Sequence, residues 1–315
     1  MSVGVLFSPQ GSQVLGMGRA LAEVSPAAAA VYREADGILG WPISAVCWEE
    51  PAERLDDTRQ TQPCLVTTSI ACLAALRERS PIEPALVAGH SVGEYAALVA
   101  AGSLALSDAL RLVALRGELM ANTASDGGML AVIGLERSAV AAALDDVAGA
   151  GELVVANDNA PGQIVVSGRR DALAAAEERL RAAGARRLIP LNVSGPFHSP
   201  LMEPLASALA DAFDEVTWHP ARPPLVSNVS AEPVSDPPEI RRLLGRQVSS
   251  PVEWVASVRR MAAAGVDLFI ECGPGNALTG MVRRILPEAR TASVSDPSGL
   301  DAGVEALAAT HAGIA

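Results

Sequence analysis

Pro84-Ala85-Leu86-Val87-Ala88-Gly89-His90-Ser91-Val92-Gly93-Glu94-Tyr95-Ala96-Ala97-Leu98-Val99-Ala100-Ala101 is the stretch that decides the fold. Residues 84–88 form a short apolar run, which predicts a buried strand. Residues 89–93 read as a tight turn and residues 94–101 as a helix. Strand, glycine turn and helix in succession are the repeating unit of a parallel α/β sheet. The turn itself is G-x-S-x-G, the pattern of a nucleophile elbow. Glycine on both sides of the serine permits a strained turn that lifts the hydroxyl clear of the sheet. The helix that follows aims its N–H groups and positive end at the same point, where an oxyanion would develop. The pentapeptide also occurs as a plain glycine turn with an incidental serine; the flanking strand and helix favour the nucleophile.

Outward from the elbow the pattern repeats. Residues 3–7 predict a buried strand that runs into the loop Ser8-Pro9-Gln10-Gly11-Ser12. Residues 61–77 predict a helix with little polarity, hence buried, and residues 107–120 another helix. Residues 128–193 have their own rhythm. Strands are expected at 129–134, 153–156, 163–167 and 187–193, with helices at 137–147 and 171–183. That β-α-β-β-α-β order is the split ferredoxin-like unit. Strands follow at 225–228 and 268–271. The second runs into Gly273-Pro274-Gly275-Asn276, which should open a helix over 277–285. The Gly/Ala-rich tail after Asp296 is expected to fray. The expected fold class is therefore α/β. A large α/β-hydrolase-like domain with a parallel sheet occupies 1–126 and 194–315, and a ferredoxin-like βαββαβ subdomain is inserted at 127–193.

Composition narrows the function. The chain has 36 acidic residues against 24 basic ones, all arginine, for a net charge of -12. This argues against nucleic-acid binding, which rewards clustered cations. It does not disfavour a coenzyme A site, which needs only a few local arginines. Cys47, Cys64, Cys72 and Cys272 form no CxxC pair, so buried free thiols in a reducing cytosol are expected. The N-terminus lacks a signal-peptide pattern and no apolar run is long enough to span a bilayer, which together predict a cytoplasmic protein with no membrane partner. No Walker, dinucleotide or metal-ligand pattern occurs, so neither a bound cofactor nor a metal is expected.

A serine nucleophile needs a base, and the chain offers four histidines. His90 lies inside the elbow and should point away from Ser91. His311 is in the tail, and His219 sits beside Trp218 and Pro220 at a surface or strand edge. By elimination His198, in the loop after the inserted unit, is the base candidate. A lone histidine is more often structural, and Ser91 is what reverses that preference here. No Asp or Glu stands out as a third triad member. Arg116 lies on a mostly apolar helix face. It can grip a carboxylate with two parallel hydrogen bonds, or sit at the surface paired with Glu118 or Glu94; spacing leaves the two readings even. Gly273-Pro274-Gly275-Asn276 can hold an anion at a helix start or be a simple turn. The arginines at 169, 170, 179, 181, 186 and 187 are mostly solvated helix faces, a minority of which could dock an acidic partner or a phosphate.

Taken together, the spaced motifs resemble the malonyl-CoA:acyl carrier protein transacylase family, which includes the acyltransferases of fatty acid and polyketide synthases. The resemblance runs from Phe7-Ser8-Pro9-Gln10-Gly11-Ser12-Gln13 through the elbow, Arg116-Gly117 and Ala156-Asn157-Asp158-Asn159. It continues through Phe197-His198-Ser199-Pro200-Leu201-Met202, Gln247, Pro251-Val252-Glu253-Trp254 and Gly273-Pro274-Gly275. It implies a ping-pong mechanism, with Ser91 as nucleophile and His198 as general base. It also implies a malonyl-CoA thioester as substrate and a phosphopantetheinylated acyl carrier protein as acceptor. Backbone N–H groups of Gln10 and Val92 would form the oxyanion hole, a backbone carbonyl at Gln247 would orient His198, and Arg116 would bind the malonyl carboxylate. Two departures stand out. Ser8-Pro9 replaces the family's usual Pro-Gly, which bears on the oxyanion loop. Phe197 stands before the histidine, as in polyketide acyltransferase domains that choose malonyl, where a bulky ring would crowd a 2-methyl branch; the resemblance implies a discrete, trans-acting acyltransferase serving a polyketide-type pathway. The rival readings are an editing acyl hydrolase on the same scaffold, an acyltransferase for a 2-substituted malonyl-CoA, and an inactive scaffold that only docks carrier proteins.

Overall fold

Strand β1 (Ser2–Phe7) is apolar because both of its faces are covered. Val5 and Phe7 enter one core cluster, whereas Leu6, pointing the other way, enters a second built around Trp254, Val258, Leu278 and Val282. A strand buried on both sides loses the polar alternation of a half-exposed one. The computed structural model describes residues 2–49, 51–122, 126–145, 147 and 153–312.

The other strands are β2 (Leu86–Gly89), β3 (Gly127–Ile133), β4 (Leu153–Ala160), β5 (Gln163–Arg169), β6 (Arg187–Pro190), β7 (Leu225–Val226), β8 (Pro233–Val234), β9 (Val266–Cys272) and β10 (Arg290–Val294). Two sheets result. The larger has the order β10-β9-β1-β2-β7-β8, parallel throughout except for the β7–β8 pair. The smaller has the order β4-β5-β3-β6, and every pair in it is antiparallel. The chain is thus an α/β protein with a parallel sheet and a separate antiparallel one. The helix Thr58–Arg79 is buried along most of its length, and the Asp57 carboxylate caps it by accepting the Arg59 N–H at 3.0 Å. That cap starts the helix one turn earlier than its apolar pattern suggests.

Several elements differ from their sequence expectations. Strand β4 runs four residues beyond 156, through Asn157-Asp158-Asn159, whose polarity hid it. Its register shifts twice against β5, and its backbone is tied to the larger unit: Val252 N–H donates to Ala156 O at 2.8 Å and Asp158 N–H to Val252 O at 3.1 Å. Strand β6 stops at Pro190. Strand β7 stops at Val226, leaving Ser227 and Asn228 in a turn. The expected fraying after Asp296 is not seen through Ala312; residues 313–315 lie outside the described residues. Helix Pro297–Ala312 starts with the Gly299 N–H donating to the Asp296 carboxylate at 2.8 Å and buries Leu300 and Leu307. A capped start and an apolar stripe outweigh the glycine content. The helix expected over 137–147 is Arg137–Leu144, and Asp146 lies outside the described residues. All four cysteines are buried and free. No helix among the described residues is long and apolar enough to cross a membrane.

The glycines of the elbow are explained by contact. A Cβ on Gly89 would stand 1.9 Å from the Gly93 carbonyl carbon, and one on Gly93 would stand 2.3 Å from Phe7 O. Strand β1, the elbow and the helix Gly93–Ala100 meet with no room for a methyl group. Gly93→Ala should therefore cost about 1–3 kcal/mol by overpacking, lowering the thermal midpoint by roughly 1.5–4.5 °C. Calorimetry of the two proteins side by side is the check, and an unchanged midpoint would show that the elbow has slack.

Candidate active site

Ser91 adopts a left-handed backbone, φ 53°, as a residue at a strained elbow must. The conformation is clamped by Asn228. Its Oδ1 accepts the Ser91 N–H at 2.7 Å, while its Nδ2 donates to Gly89 O at 2.7 Å. The elbow therefore projects the hydroxyl outward instead of relaxing.

His198 meets it there. Ser91 Oγ lies 2.8 Å from His198 Nε2. Nδ1 faces two backbone carbonyls, Gln247 O at 2.9 Å and Ser250 O at 3.2 Å. Two acceptors on that side place the ring proton on Nδ1 and leave Nε2 free to accept from the serine. A carbonyl thus occupies the place of a triad acid, and among the described residues no Asp or Glu is hydrogen-bonded to the ring. Burial, with the nearby Arg116 charge adding to it, pushes His198 down to about 3. The imidazole is therefore neutral near pH 7, the state a base requires.

Arg116 is buried, not paired at the surface. Glu118, its expected surface partner, instead receives Arg59 at 3.0 Å. One terminal nitrogen of Arg116 donates to Gln62 Oε1 at 2.6 Å; the other donates to Ser91 Oγ and to Gln247 Oε1, both at 3.1 Å. Its Nε–H has no acceptor. Burial lowers its pKa from the ordinary arginine value, opposed by the charges of Tyr95 and Glu94. Gly117 makes the approach possible, since a Cβ there would stand 2.7 Å from Thr58 O. Glu94, on the first turn after the elbow, accepts the Asn228 N–H at 2.8 Å and the Gln247 side-chain amide. Burial lifts its carboxyl to about 7, against the pull of those two donors and of Arg116.

Ser91 and His198 border a cavity of about 350 Å³ between the two sheets, lined also by Gln10, Asn157, Asn159 and Phe197; Arg116 lies behind Ser91, within hydrogen-bond reach of its Oγ. Phe197 is buried against it. Among the described residues, the backbone N–H groups of Gln10 and Val92 donate to no other protein group. A larger cleft of about 610 Å³, lined by Phe213, Trp218 and Arg241, holds none of these side chains, so size does not locate the site. His90 also lines this cavity, and its Nε2 pairs with Asn159 Oδ1 at 2.8 Å instead of with Ser91. Exposed His219 lies elsewhere.

The Gly273-Pro274-Gly275 turn is settled as structural. The helix Ala277–Ile285 already has an anion at its start: buried Glu271 accepts from Leu278 N at 3.2 Å and Thr279 N at 2.8 Å. The same carboxylate accepts the Ser8 hydroxyl at 3.2 Å, which anchors the departing Ser8-Pro9 loop. On the small sheet, Arg169 pairs with Asp171 and Arg181 with Glu177. Asn228 and Gln62 were given no site role from sequence; Asn159 entered only within the Ala156-Asn157-Asp158-Asn159 motif and Glu94 only as a possible surface partner of Arg116. Among the described residues, no cluster of His, Cys, Asp and Glu is arranged to hold a metal ion.

A half-buried serine hydrogen-bonded to a buried imidazole beside a guanidinium, at the tip of a parallel strand, has the geometry that serine acyl transfer requires. The family model for the acyl transferase domain matches residues 5–300, and the chain belongs to that family. A malonyl CoA-acyl carrier protein transacylase of Bacillus subtilis is 43% identical over 308 residues, covering 97% of this chain and 97% of that protein. A polyketide biosynthesis protein of Burkholderia thailandensis is 41% identical over 290 residues, which is 91% of this chain and 24% of that protein. A solved structure of a type II PKS acyl-carrier protein in complex with its malonyl-transacylase matches with a TM-score of 0.94 at 37% identity, covering 97% of this chain and 99% of that one.

The position of His198 generates a pH test. An uncharged serine reagent such as phenylmethanesulfonyl fluoride should label Ser91 at a rate that stays within about twofold from pH 7.5 to 5.5. A histidine of ordinary pKa would be about tenfold slower at the lower value. Intact mass against time gives the rate, and a tenfold fall would mean that the imidazole takes up a proton far more readily than its burial implies.

Proposed function

We propose that this protein moves a malonyl group from malonyl-CoA to the phosphopantetheine thiol of an acyl carrier protein, through an ester on Ser91, for fatty acid or polyketide assembly. The observation that carries the donor assignment is Arg116. A buried guanidinium 3.1 Å from the nucleophile, with its Nε–H unmatched, offers a side-on edge to a carboxylate. Malonyl carries such a carboxylate two bonds from its thioester carbonyl. A neutral acyl chain offers nothing to the unmatched Nε–H, which disfavours an editing hydrolase.

The steps follow from the geometry. Ser91 Oγ attacks the thioester carbonyl while His198 Nε2 takes its proton. The Gln10 and Val92 N–H groups receive the oxyanion. Collapse breaks the C–S bond, coenzyme A leaves with the proton from His198, and the malonyl ester remains on Ser91. The carrier-protein thiol then attacks the ester, passing its proton to His198. The second collapse returns that proton to Ser91 Oγ. Because Nδ1 is held by the Gln247 and Ser250 carbonyls, the ring keeps one tautomer through both halves.

We read residues 1–126 and 194–315 as an α/β-hydrolase-like catalytic domain and 127–193 as an inserted ferredoxin-like subdomain. The antiparallel order β4-β5-β3-β6 supports the second assignment. The enzyme would act in the cytoplasm, where buried free thiols persist. Phe197, buried against the cavity, restricts the space beside the acyl α-carbon and favours malonyl over 2-substituted donors.

Incubation with a panel of acyl-CoAs followed by intact-mass measurement should show one malonyl adduct, absent in Ser91→Ala. Arg116→Ala should lower kcat/KM for malonyl-CoA by about 30-fold or more beyond any loss for acetyl-CoA, since a desolvated charge-assisted pair is removed. Equal losses for both donors would overturn the carboxylate role. Phe197→Ser should raise the methylmalonyl-to-malonyl ratio of kcat/KM; an unchanged ratio would place selectivity elsewhere.

A further inference from the structure

Glu94 has no step in the proposed chemistry, yet it is a buried carboxylate whose neighbours all lead to the reacting groups. Its Oε1 accepts the Asn228 backbone N–H at 2.8 Å, and its Oε2 accepts from Gln247 Nε2. The same Nε2 donates to Ser91 O at 2.8 Å. With Glu94 ionised, both hydrogens of the Gln247 amide are thus spent on groups that can only accept. The amide oxygen must then face the other way, and what it meets is Arg116, at 3.1 Å. Turning the amide over would set its oxygen against a carboxylate and a carbonyl, and its NH₂ against a guanidinium. All three contacts would become repulsive, so a neutral amide acts here as a one-way connector.

We infer that Glu94 is a positioning residue: through the Gln247 amide it sets the orientation of the Arg116 guanidinium, and with it the preference for an acyl group that carries a carboxylate. The inference rests on the malonyl reading of Arg116. It extends that reading to a carboxylate that never touches substrate. Arg116 holds three side-chain acceptors, Gln62, Ser91 and Gln247, and Ser91 Oγ is consumed when the ester forms. Gln62 and Gln247 then keep the guanidinium in place, and of these Gln247 is the one whose amide Glu94 orients.

Glu94→Gln separates this role from simple bracing of the elbow. Its side-chain oxygen can still accept the Asn228 N–H, so the elbow contact survives. Its NH₂ now opposes the Gln247 NH₂, so the amide loses the acceptor that held it in place and with it the fixed contact to Arg116. The malonyl-to-acetyl ratio of kcat/KM should fall by about tenfold or more, the scale of one hydrogen bond to a charged group. In an Arg116→Ala background the same substitution should leave that ratio where Arg116→Ala alone put it, because the two residues act through one contact chain. Melting curves and circular dichroism establish that each variant is folded. If Glu94→Gln does not fold, Gln247→Met removes the connector while keeping the backbone carbonyl that holds His198, and the same fall is expected. Equal losses for malonyl and acetyl, with Arg116→Ala still selective in its effect, would overturn the inference and leave the malonyl reading intact. An Arg116→Ala protein with an unchanged ratio would remove both.

Discussion

A serine held at positive φ is the constraint on which the rest of the structure depends. The conformation costs about 1–3 kcal/mol for a residue with a side chain, and a fold keeps it only by over-determining it. Here the determination comes from two directions. Gly89 and Gly93 let strand β1, strand β2 and the following helix close to a distance that no methyl group permits. Asn228, arriving from the far side at the end of β7, holds the Ser91 N–H and the Gly89 carbonyl together. The hydroxyl projects because the backbone has nowhere else to go.

Around that point the protein buries polar groups that would each be costly alone. An ion taken out of water is destabilising by several kcal/mol unless it is paired or well hydrogen-bonded. Arg116, Glu94 and Gln247 meet this requirement jointly: a cation and a carboxylate are linked through an amide that neither can turn over. His198 is handled differently. Its burial removes the charged state, and two carbonyls fix the remaining proton. A carboxylate in their place would stabilise the imidazolium. With Arg116 close by, carbonyl acceptors orient the ring without drawing a second proton onto it.

Much of the fold was legible from apolar runs. The strands of the parallel sheet read as short continuous stretches because both faces are covered, and the β-α-β-β-α-β order of 127–193 was visible in the alternation of periods. The misses have physical causes. Strand β4 continues through polar residues because its backbone is paired on both sides, a bond pattern that side-chain hydropathy does not report. The C-terminal helix forms despite its glycines because Asp296 caps it and Leu300 and Leu307 find a core.

The sequence by itself determined the local chemistry: a serine in a strained glycine turn, four histidines of which His198 was best placed, an arginine on an apolar helix, and a phenylalanine before the histidine. These follow from short-range pattern, where a motif carries its own geometry. Only the tertiary structure decided which groups complete the site. Asn228, Glu94 and Gln62 lie 137, 3 and 29 positions from Ser91 along the chain, yet all three contribute hydrogen bonds to one network. The even choice between a surface Arg116 and a buried one was likewise decided by packing. A guanidinium's environment is set by what the neighbouring helix and the distant Gln247 bring to it, and no local spacing encodes that.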